Sequence, residues 1–488
     1  MKYINIDAKR QHLVSNIVNF AIQNNIKTIA EGIENFEEFI TVIGLGIDYI
    51  QGFYTARPAP YFLRSLLQEH KDAILDINRK KSLESMEKRV YETNADQELS
   101  LVALALDQYT DILVREKELT LKGSQGLVAN INIHIPDNMK CHLTLENIDI
   151  KGNDNPSISL GHNCNVELFL IGDNNITDNG IRVPESSMIT ILGDGNLNIN
   201  SKRLVAVGIG GTGEQSYGDI VLAATGTIKV YKSDNTSAGI GGAQNSNNSR
   251  ISLCSGNISV ISEGLNTVGI GSIYSNAIVS VKDCRLEVKT MGVKTVGIGS
   301  LHGHVSIDLD GDITVNSEGR YTVVIGSAEN GQGYVNMLGG TIHSRFNAHS
   351  GSGIGSIGGN VDITILNGSY HLYAEGTDIV GIGDQTGNGR IGIYNGIINI
   401  NLNSSNQLPV GNISKKVVIQ GGNILCGFSD DRRPVNAYQV PLVARSITTT
   451  SPFTRTIEAK EGLSYEYNAD YCELYPNIIV YLPEEIIL

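Results

Sequence analysis

Hydrophobic and polar positions alternate in short runs between about residue 120 and residue 425, and turns rich in glycine and asparagine separate the runs. Residues 305–309 and 361–365 are two examples. A hydrophobic period of two is typical of strands that bury one face. The pattern therefore predicts many short strands, with isoleucine and valine facing a core and polar side chains facing solvent.

A Gly-Ile-Gly motif repeats through this region, with Val324 in place of the first glycine in one copy. Its central isoleucines are Ile209, Ile240, Ile270, Ile298, Ile325, Ile354 and Ile382. Leucine at fixed offsets, which a leucine-rich repeat needs, is missing, and a propeller blade needs more residues for its four strands. The sequence therefore predicts a mainly β fold, a right-handed parallel β-helix over residues 120–425 with three strands per coil and a repeat of about 28–31 residues.

The ends of the chain have a different pattern. Residues 1–77 alternate between helical and strand-like segments, which is typical of α/β structure with a parallel sheet. Residues 78–119 are charged in their first half and are predicted to form a helical linker. Residues 426–488 lie beyond the last repeat, and we expect them to form a β-rich cap over the open end of the β-helix.

Charge and composition exclude several classes of function. Lys plus Arg number 37 and Asp plus Glu number 51, so the net charge is −14, which argues against binding nucleic acid or an anionic membrane surface. The six cysteines contain no CxxC pair for zinc or redox chemistry, and we expect free thiols. Neither a signal-peptide pattern nor a membrane-spanning apolar run occurs, so the expected location is the cytoplasm.

Two motifs near the N-terminus resemble the end of an EAL domain. They are TIAEGIE at residues 28–34 and GIDYIQGFYTARP at residues 46–58, and the resemblance covers about residues 7–75. EAL domains are TIM-barrel phosphodiesterases that hydrolyse cyclic di-GMP with Mg or Mn. The resemblance implies that Glu31 is a metal ligand, that Glu34 supports an active-site loop, and that Gln51 orients water or a metal ligand.

The region that resembles the EAL family contains only about the last two of eight βα units. The remaining metal ligands of the family precede it, and one carboxylate does not hold two metal ions. We therefore expect this chain to bind no metal in this segment and to be inactive towards cyclic di-GMP. The alternative is an active phosphodiesterase that produces linear pGpG, if upstream sequence completes the barrel.

Residues 120–488 resemble the carbohydrate-binding β-helix proteins of Firmicutes. The resemblance is carried by LTLENIDI at residues 143–150, GIRVPE at 180–185, ILGDGNL at 191–197 and the Gly-Ile-Gly series. It implies binding of a polysaccharide, with a protein ligand or a purely structural rod as alternatives. The candidate ligand-binding side chains are those of Tyr274, Tyr334, Tyr373 and Tyr394, which either line one face or fill corners of the coils.

Asp308, Asp310 and Asp312 resemble part of a calcium loop. The bidentate acid that such a loop requires is missing, because Gly319 stands at its position. A solvated turn between two strands is the alternative interpretation, and calcium has only this motif in its favour.

Overall fold

The computed structural model describes residues 4–23, 26–57 and 67–428, with gaps at 69, 76, 78–88, 96, 125, 153–155, 203–207, 212–214, 246–247, 388 and 420–422. Beyond residue 428 it describes the backbone of strands at 440–449, 457–459, 463–465, 472–473, 478–482 and 486–487. The chain divides into two compact units, Met1–Lys88 and Arg89–Leu488.

The first unit alternates helices and strands. Its elements are α1 Ala8–Gln23, β1 Ile29–Glu31, α2 Phe36–Leu45 and β2 Tyr49–Gln51. The strands pair in parallel, and α2 ends at Gly46, whose φ of 90° is favourable for glycine. Ala30, Ile33, Phe39 and Val42 form the buried core of this unit, as the helical and strand periodicities require.

The second unit is a parallel β-solenoid of about ten turns. Its strands before residue 235 are β3 Val90–Glu92, β4 Gln97–Ser100, β5 Asp111–Leu113, β6 Glu118–Lys122, β7 Asn132–Ile135, β8 Lys140–Glu146, β9 Asp149–Lys151, β10 Ile158–Leu160, β11 Asn165–Ile171, β12 Asp173–Thr177, β13 Ile181–Arg182, β14 Met188–Gly193, β15 Asn196–Ser201, β16 Ile209–Gly210, β17 Asp219–Leu222 and β18 Thr227–Ser233. The following strands are β19 Thr236–Gly242, β20 Arg250–Leu253, β21 Asn257–Glu263, β22 Asn266–Ser272, β23 Ala277–Met291, β24 Lys294–Ser300, β25 Val305–Ser327, β26 Gln332–Ser356, β27 Asn360–Ile365, β28 Ser369–Asp384, β29 Ile391–Ile393, β30 Ile397–Ile419 and β31 Asn423–Phe428.

These strands stack into three ladders, each of which carries at least one buried column of mostly aliphatic side chains. The first ladder stacks the isoleucine of the Gly-Ile-Gly motif on its counterpart in the next coil. Its column is Ile112, Ile133, Ile158, Ile181, Ile209, Ile240, Ile270, Ile298, Ile325, Ile354 and Ile382. All of these side chains are buried, so the predicted stacking of the motif is confirmed.

The second and third ladders follow the same rule. The second ladder contains the column Leu119, Leu143, Leu168, Ile191, Leu222, Leu253, Val281, Leu309, Met337, Ile365 and Ile393. The third ladder contains Ile150, Ile176, Ile199, Val230, Val260, Val288, Val315, Ser344, Leu372 and Ile400. Alternate residues of each strand face outward, and they too stack in columns.

The backbone conformation requires glycine at the second glycine position of the motif, in every coil from Gly210 to Gly383. Its φ lies between 116° and 140° in all seven copies, a region that side chains rarely adopt. A Cβ atom there would lie 1.8–2.2 Å from the carbonyl oxygen of the corresponding glycine in the next coil. Close stacking of the backbone therefore requires glycine.

The solenoid begins about 30 residues earlier than the sequence analysis predicted. Strands β3 to β6 pair in parallel with the coils that follow, so residues 89–119 belong to the solenoid and not to a helical linker. Residues 78–88 of the predicted linker lie outside the described residues. The first described coils have strands on the first and second ladders, because the third ladder begins with a single parallel bridge from Ala129 to Ile150 and has its first strand at β9. Helix α3, Leu101–Leu106, follows β4 and adds Leu101 and Leu104 to the core.

After Phe428 the described strands are β32 Val440–Thr449, β33 Ile457–Ala459, β34 Leu463–Tyr465, β35 Cys472–Glu473, β36 Ile478–Leu482 and β37 Ile486–Ile487. β32 still pairs in parallel with β30, whereas the other pairings of these strands are antiparallel. The change of pairing shows that the parallel repeat ends here. Their role as a cap stays a prediction.

Candidate functional site

Glu31 and Gln51 lie next to each other on the two strands of the first unit. They are register partners at the ends of β1 and β2, and both side chains are exposed. The carbonyl oxygen of Gln51 accepts a hydrogen bond from the backbone N–H of Gly32 at 2.9 Å, which fixes this register beyond the strand ends. The structure therefore brings these two predicted site residues together.

Glu34 lies directly before Asn35, the N-cap residue of α2. Its backbone N–H donates to Oε2 of the buried Glu38 at 3.0 Å, while the N–H of Glu38 donates to Oδ1 of Asn35 at 2.9 Å. This arrangement resembles a capping box, which satisfies backbone donors at a helix start. The side chain of Glu34 is exposed, and its described backbone contact is structural.

The side of the sheet that carries Glu31 and Gln51 is open to solvent in the first unit. Ile29 and Tyr49, which share that side, are 60% and 56% exposed, whereas Ala30 on the opposite side is fully buried. Among the described residues, no group of three or more His, Cys, Asp or Glu side chains is placed to hold a metal ion. Glu31 therefore has Gln51 beside it but no set of further metal ligands in this part of the chain.

The four candidate tyrosines are distributed over different ladders, so the structure does not place them together on one face. Tyr334 lies on the second ladder and its hydroxyl accepts from Ser306 Oγ at 2.6 Å, and Tyr394 follows the end of β29 on the same ladder. Tyr274 lies at the corner after the first ladder, where its ring stacks on His302 at 5.8 Å between centroids. Tyr373 lies on the third ladder, where its register partner is Arg345.

The outer surface of the third ladder holds an ordered group of polar side chains around Tyr373. His343 and His371 are register partners, and their rings stack with centroids 4.9 Å apart and planes 14° apart. The amide nitrogen of Asn399, in the next coil, lies 3.0 Å from Nδ1 of His371. Partial burial, together with the nearby His343, lowers the pKa of His371 and favours its neutral form.

Two residues further along the same strands lies a second row. The guanidinium of Arg345 stacks over the ring of Tyr373, 5.0 Å from its centroid, and the Tyr373 hydroxyl donates to Glu375 Oε1. Asn401 is the register partner of Tyr373 in the next coil, and its Oδ1 is buried without a partner among the described residues. We call the group His343, Arg345, His371, Tyr373, Asn399 and Asn401 the histidine–tyrosine face.

Sequence reasoning found Tyr373 but missed the rest of this face. His343 and His371 are 28 residues apart, as are Arg345 and Tyr373, and that distance is one repeat. Polar residues that are one repeat apart in the sequence could therefore have predicted that their side chains share an outer column.

The aspartates of the possible calcium loop are on the outer surface without converging. Asp308 accepts a hydrogen bond from Asn336 Nδ2 at 2.8 Å, and Asp312 lies 4.0 Å from Arg285 Nε. No metal-binding group was found among the described residues, which include all three aspartates. The alternative interpretation, a solvated turn between strands, fits their position within the continuous strand β25.

Comparison with protein families matches the EAL domain model to residues 1–58. The match confirms the resemblance of the first unit as an EAL domain fragment, which suggests cyclic di-GMP signalling. Comparison with curated proteins gives no match, and comparison with solved structures gives none either. Within the described residues, no helix combines the length and apolar character that crossing a membrane requires.

Proposed function

We propose that the solenoid binds a polysaccharide on the histidine–tyrosine face. The observation that supports this most strongly is the alignment of imidazole, guanidinium, phenol and amide groups on the outer surface of three successive coils. These groups are planar and polar, and each has donors or acceptors that suit neighbouring hydroxyl groups of a sugar. A chain of sugars lying across successive coils would meet planar polar groups at each step.

The internal contacts of the face support binding because they hold it in one arrangement. Arg345 is held by Tyr373, Tyr373 by Glu375, and His371 by His343 and Asn399. Side chains that are already ordered lose less conformational entropy when a ligand binds. The buried Oδ1 of Asn401 gains a hydrogen bond if a sugar hydroxyl donates to it.

Titration calorimetry with polygalacturonate, xylan and a mixed-linkage β-glucan tests the proposal. We expect binding to at least one polymer, with Tyr373→Ala and Arg345→Ala each weakening it by about tenfold or more. Tyr334→Ala is the matched control, because Tyr334 is exposed but lies on the second ladder. Failure of all three polymers to bind, or equal losses in Tyr334→Ala and Tyr373→Ala, would contradict the proposal.

A second candidate function is hydrolysis of cyclic di-GMP to pGpG by a barrel that further strands complete. The exposed Ile29 and Tyr49 beside Glu31 and Gln51 favour it, because they are the side chains that additional strands of a closed barrel would cover. We propose that the chain of 488 residues is inactive by itself. The test measures pGpG production, with Mg or Mn, by this chain and by one that includes any in-frame upstream sequence.

Activity of the extended chain that disappears in Glu31→Gln would establish the phosphodiesterase function, and Glu34→Gln would show whether the second glutamate is needed. Activity of the 488-residue chain would contradict our proposal that it is inactive. A cytoplasmic location stays a prediction. If no polysaccharide binds, the remaining alternatives for the solenoid are binding of a protein ligand and a purely structural role.

A further inference from the structure

A groove of about 440 Å³ lies where strands of the second ladder begin, away from the histidine–tyrosine face. Its lining includes Asn165, Ser187, Met188, Asp219, Asn248 and Arg250. These residues belong to four successive coils, because Asn165, Met188, Asp219 and Arg250 are consecutive positions of one outer column. Among the described residues, the coils on both sides contribute corner residues and the coil of Asp219 contributes Asp219.

Several polar groups in the walls already have partners within the solenoid. Ser187 Oγ donates to the carbonyl oxygen of Gly161 at 2.8 Å and accepts from the N–H of Cys164 at 3.0 Å. Asn163 Nδ2 donates to Asn138 Oδ1 at 3.2 Å, and Asn248 Oδ1 accepts from Asn276 Nδ2 at 3.0 Å. These contacts fix the walls of the groove and leave a small set of groups for a ligand.

Three lining groups retain binding capacity. The guanidinium of the exposed Arg250 has no hydrogen bond or ion pair with any residue in the described part of the chain, although its backbone N–H donates to Asp219 Oδ1 at 2.8 Å. That contact leaves acceptor positions on the Asp219 carboxylate. Asn165 Oδ1 is buried and has no partner among the described residues, which is costly for an acceptor.

A ligand for this set needs one anionic group and several hydroxyl donors. Guanidinium binds carboxylate through two parallel hydrogen bonds, whereas the carboxylate of Asp219 and the amide oxygen of Asn165 accept from hydroxyls. The net charge of −14 repels anions in general, so the attraction has to come from Arg250 at short range. We propose that the groove binds a hexuronate, a sugar that carries a carboxylate and adjacent hydroxyls on one ring.

This site shares no residue with the histidine–tyrosine face, so its test is independent of the proposed function. Calorimetry or ligand-observed NMR with D-galacturonate is expected to show binding that D-galactose, which lacks the carboxylate, does not show at the same concentrations. Tri-galacturonate tells whether the groove accepts one sugar of a polymer or a free monosaccharide alone. Equal binding of galacturonate and galactose, or binding of neither, would overturn the proposal.

Variants assign the binding to the groove. Arg250→Gln removes the charge and is expected to weaken galacturonate binding about tenfold or more, whereas Arg285→Gln, an exposed arginine of the third ladder, leaves it unchanged. Asp219→Asn keeps an acceptor for the Arg250 N–H and is expected to weaken binding through the hydroxyls. Circular dichroism and the melting temperature check that each variant is folded. Unchanged affinity in folded Arg250→Gln would overturn the proposal.

The proposal of polymer binding on the histidine–tyrosine face and the proposal of galacturonate binding in the groove can be contradicted independently. If Tyr373→Ala abolishes binding of a neutral polymer while galacturonate affinity is unchanged, both proposals hold. If no polymer binds but galacturonate binding depends on Arg250, the groove is a uronate site and the proposed function is wrong.

Discussion

Lys232 is a cation inside the solenoid, in the column of the third ladder that also contains Ser201 and Ser262. Its side chain is almost fully buried, with Nζ 3.6 Å from Asp234 Oδ2 and donating to the carbonyl oxygen of Ser233 at 3.2 Å. Burial lowers the pKa of Lys232 from 10.5 to about 8, although Asp234 opposes the shift. A pKa below the unfolded value means that the charged form is disfavoured in the folded state.

Replacing Lys232 with methionine tests this interpretation. At pH 7 the charged lysine costs about 3 kcal/mol relative to its value in the unfolded chain, so we expect Lys232→Met to raise the free energy of unfolding by about 1–3 kcal/mol. Between about pH 8 and 10.5 the unfolded wild-type chain holds the proton and the folded chain does not, so wild-type stability rises.

The advantage of Lys232→Met should therefore shrink as the pH approaches 10.5. Urea unfolding at pH 7 and pH 10 measures both values. A variant that is less stable than wild type at pH 7 would show that the contact with Asp234 outweighs the cost of burial.

Burial differs among the cysteines in the described part of the solenoid. Cys141, Cys164 and Cys284 are buried, and burial raises the pKa of Cys141 to about 12 and that of Cys284 to about 11. Cys254 is exposed, and all four are free thiols, as the sequence predicted for them. We expect Cys254→Ser to remove one rapidly reacting thiol in a DTNB assay, whereas Cys284→Ser leaves the rapid phase unchanged. Equal rates for both variants would contradict these burials.

At the scale of elements, two glycines three residues apart differ in whether the backbone requires glycine at their position. Gly355 has a φ of 134°, and a Cβ would lie 2.1 Å from the carbonyl oxygen of Gly383, whereas the atom nearest to a Cβ at Gly358 is 3.9 Å away. We expect Gly355→Ala to lower the free energy of unfolding by roughly 2 kcal/mol or more, because it adds strain and forces the coils apart.

Gly358→Ala is the matched control, with an expected change within about 0.5 kcal/mol. Chemical denaturation of the two variants beside the wild type measures the difference. Similar losses in both would mean that the backbone of the first ladder does not stack as closely as described.

The elements also show what a sequence can and cannot predict. Where Gly-Ile-Gly recurs every 27–31 residues, the spacing identifies the coils and the column of buried isoleucines. In the early coils Tyr91, Ile112 and Ile133 are register partners only 21 residues apart and lack the motif, so the pattern there was missed. A shorter coil is possible because the described residues of these coils form no strand on the third ladder, to which Ala129 adds a single bridge.

The candidate sites were predictable to a smaller extent. Tyr373 was selected because it is a tyrosine, but the identity of its neighbours depends on the register between β26 and β28. A difference of one residue in the length of a turn changes that register. The groove beside Asp219 depends on how the corners of four successive coils meet, and a hydrophobic period does not describe corners. Glu31 and Gln51 were found through motifs, and their pairing follows from the parallel register of two short strands.

At the scale of the molecule, the two units have separate cores and different organisation. The first unit packs a few side chains around Phe39, whereas one continuous core runs through the solenoid from Leu99 to Val410. Each coil of a solenoid contacts its neighbours and little else, so its stability is close to a sum of local terms. Substitutions in distant coils should therefore act independently of one another.

The central claim is that successive coils stack directly on one another, and distances between spin labels test it most directly. Thr190 and Thr364 lie six steps apart on one outer column of the second ladder, and Ser252 and Thr364 lie four steps apart. With about 4.8 Å per step, pulsed EPR on cysteine-labelled pairs should give backbone separations near 29 Å and 19 Å. Separations that do not increase with the number of intervening coils would contradict the account.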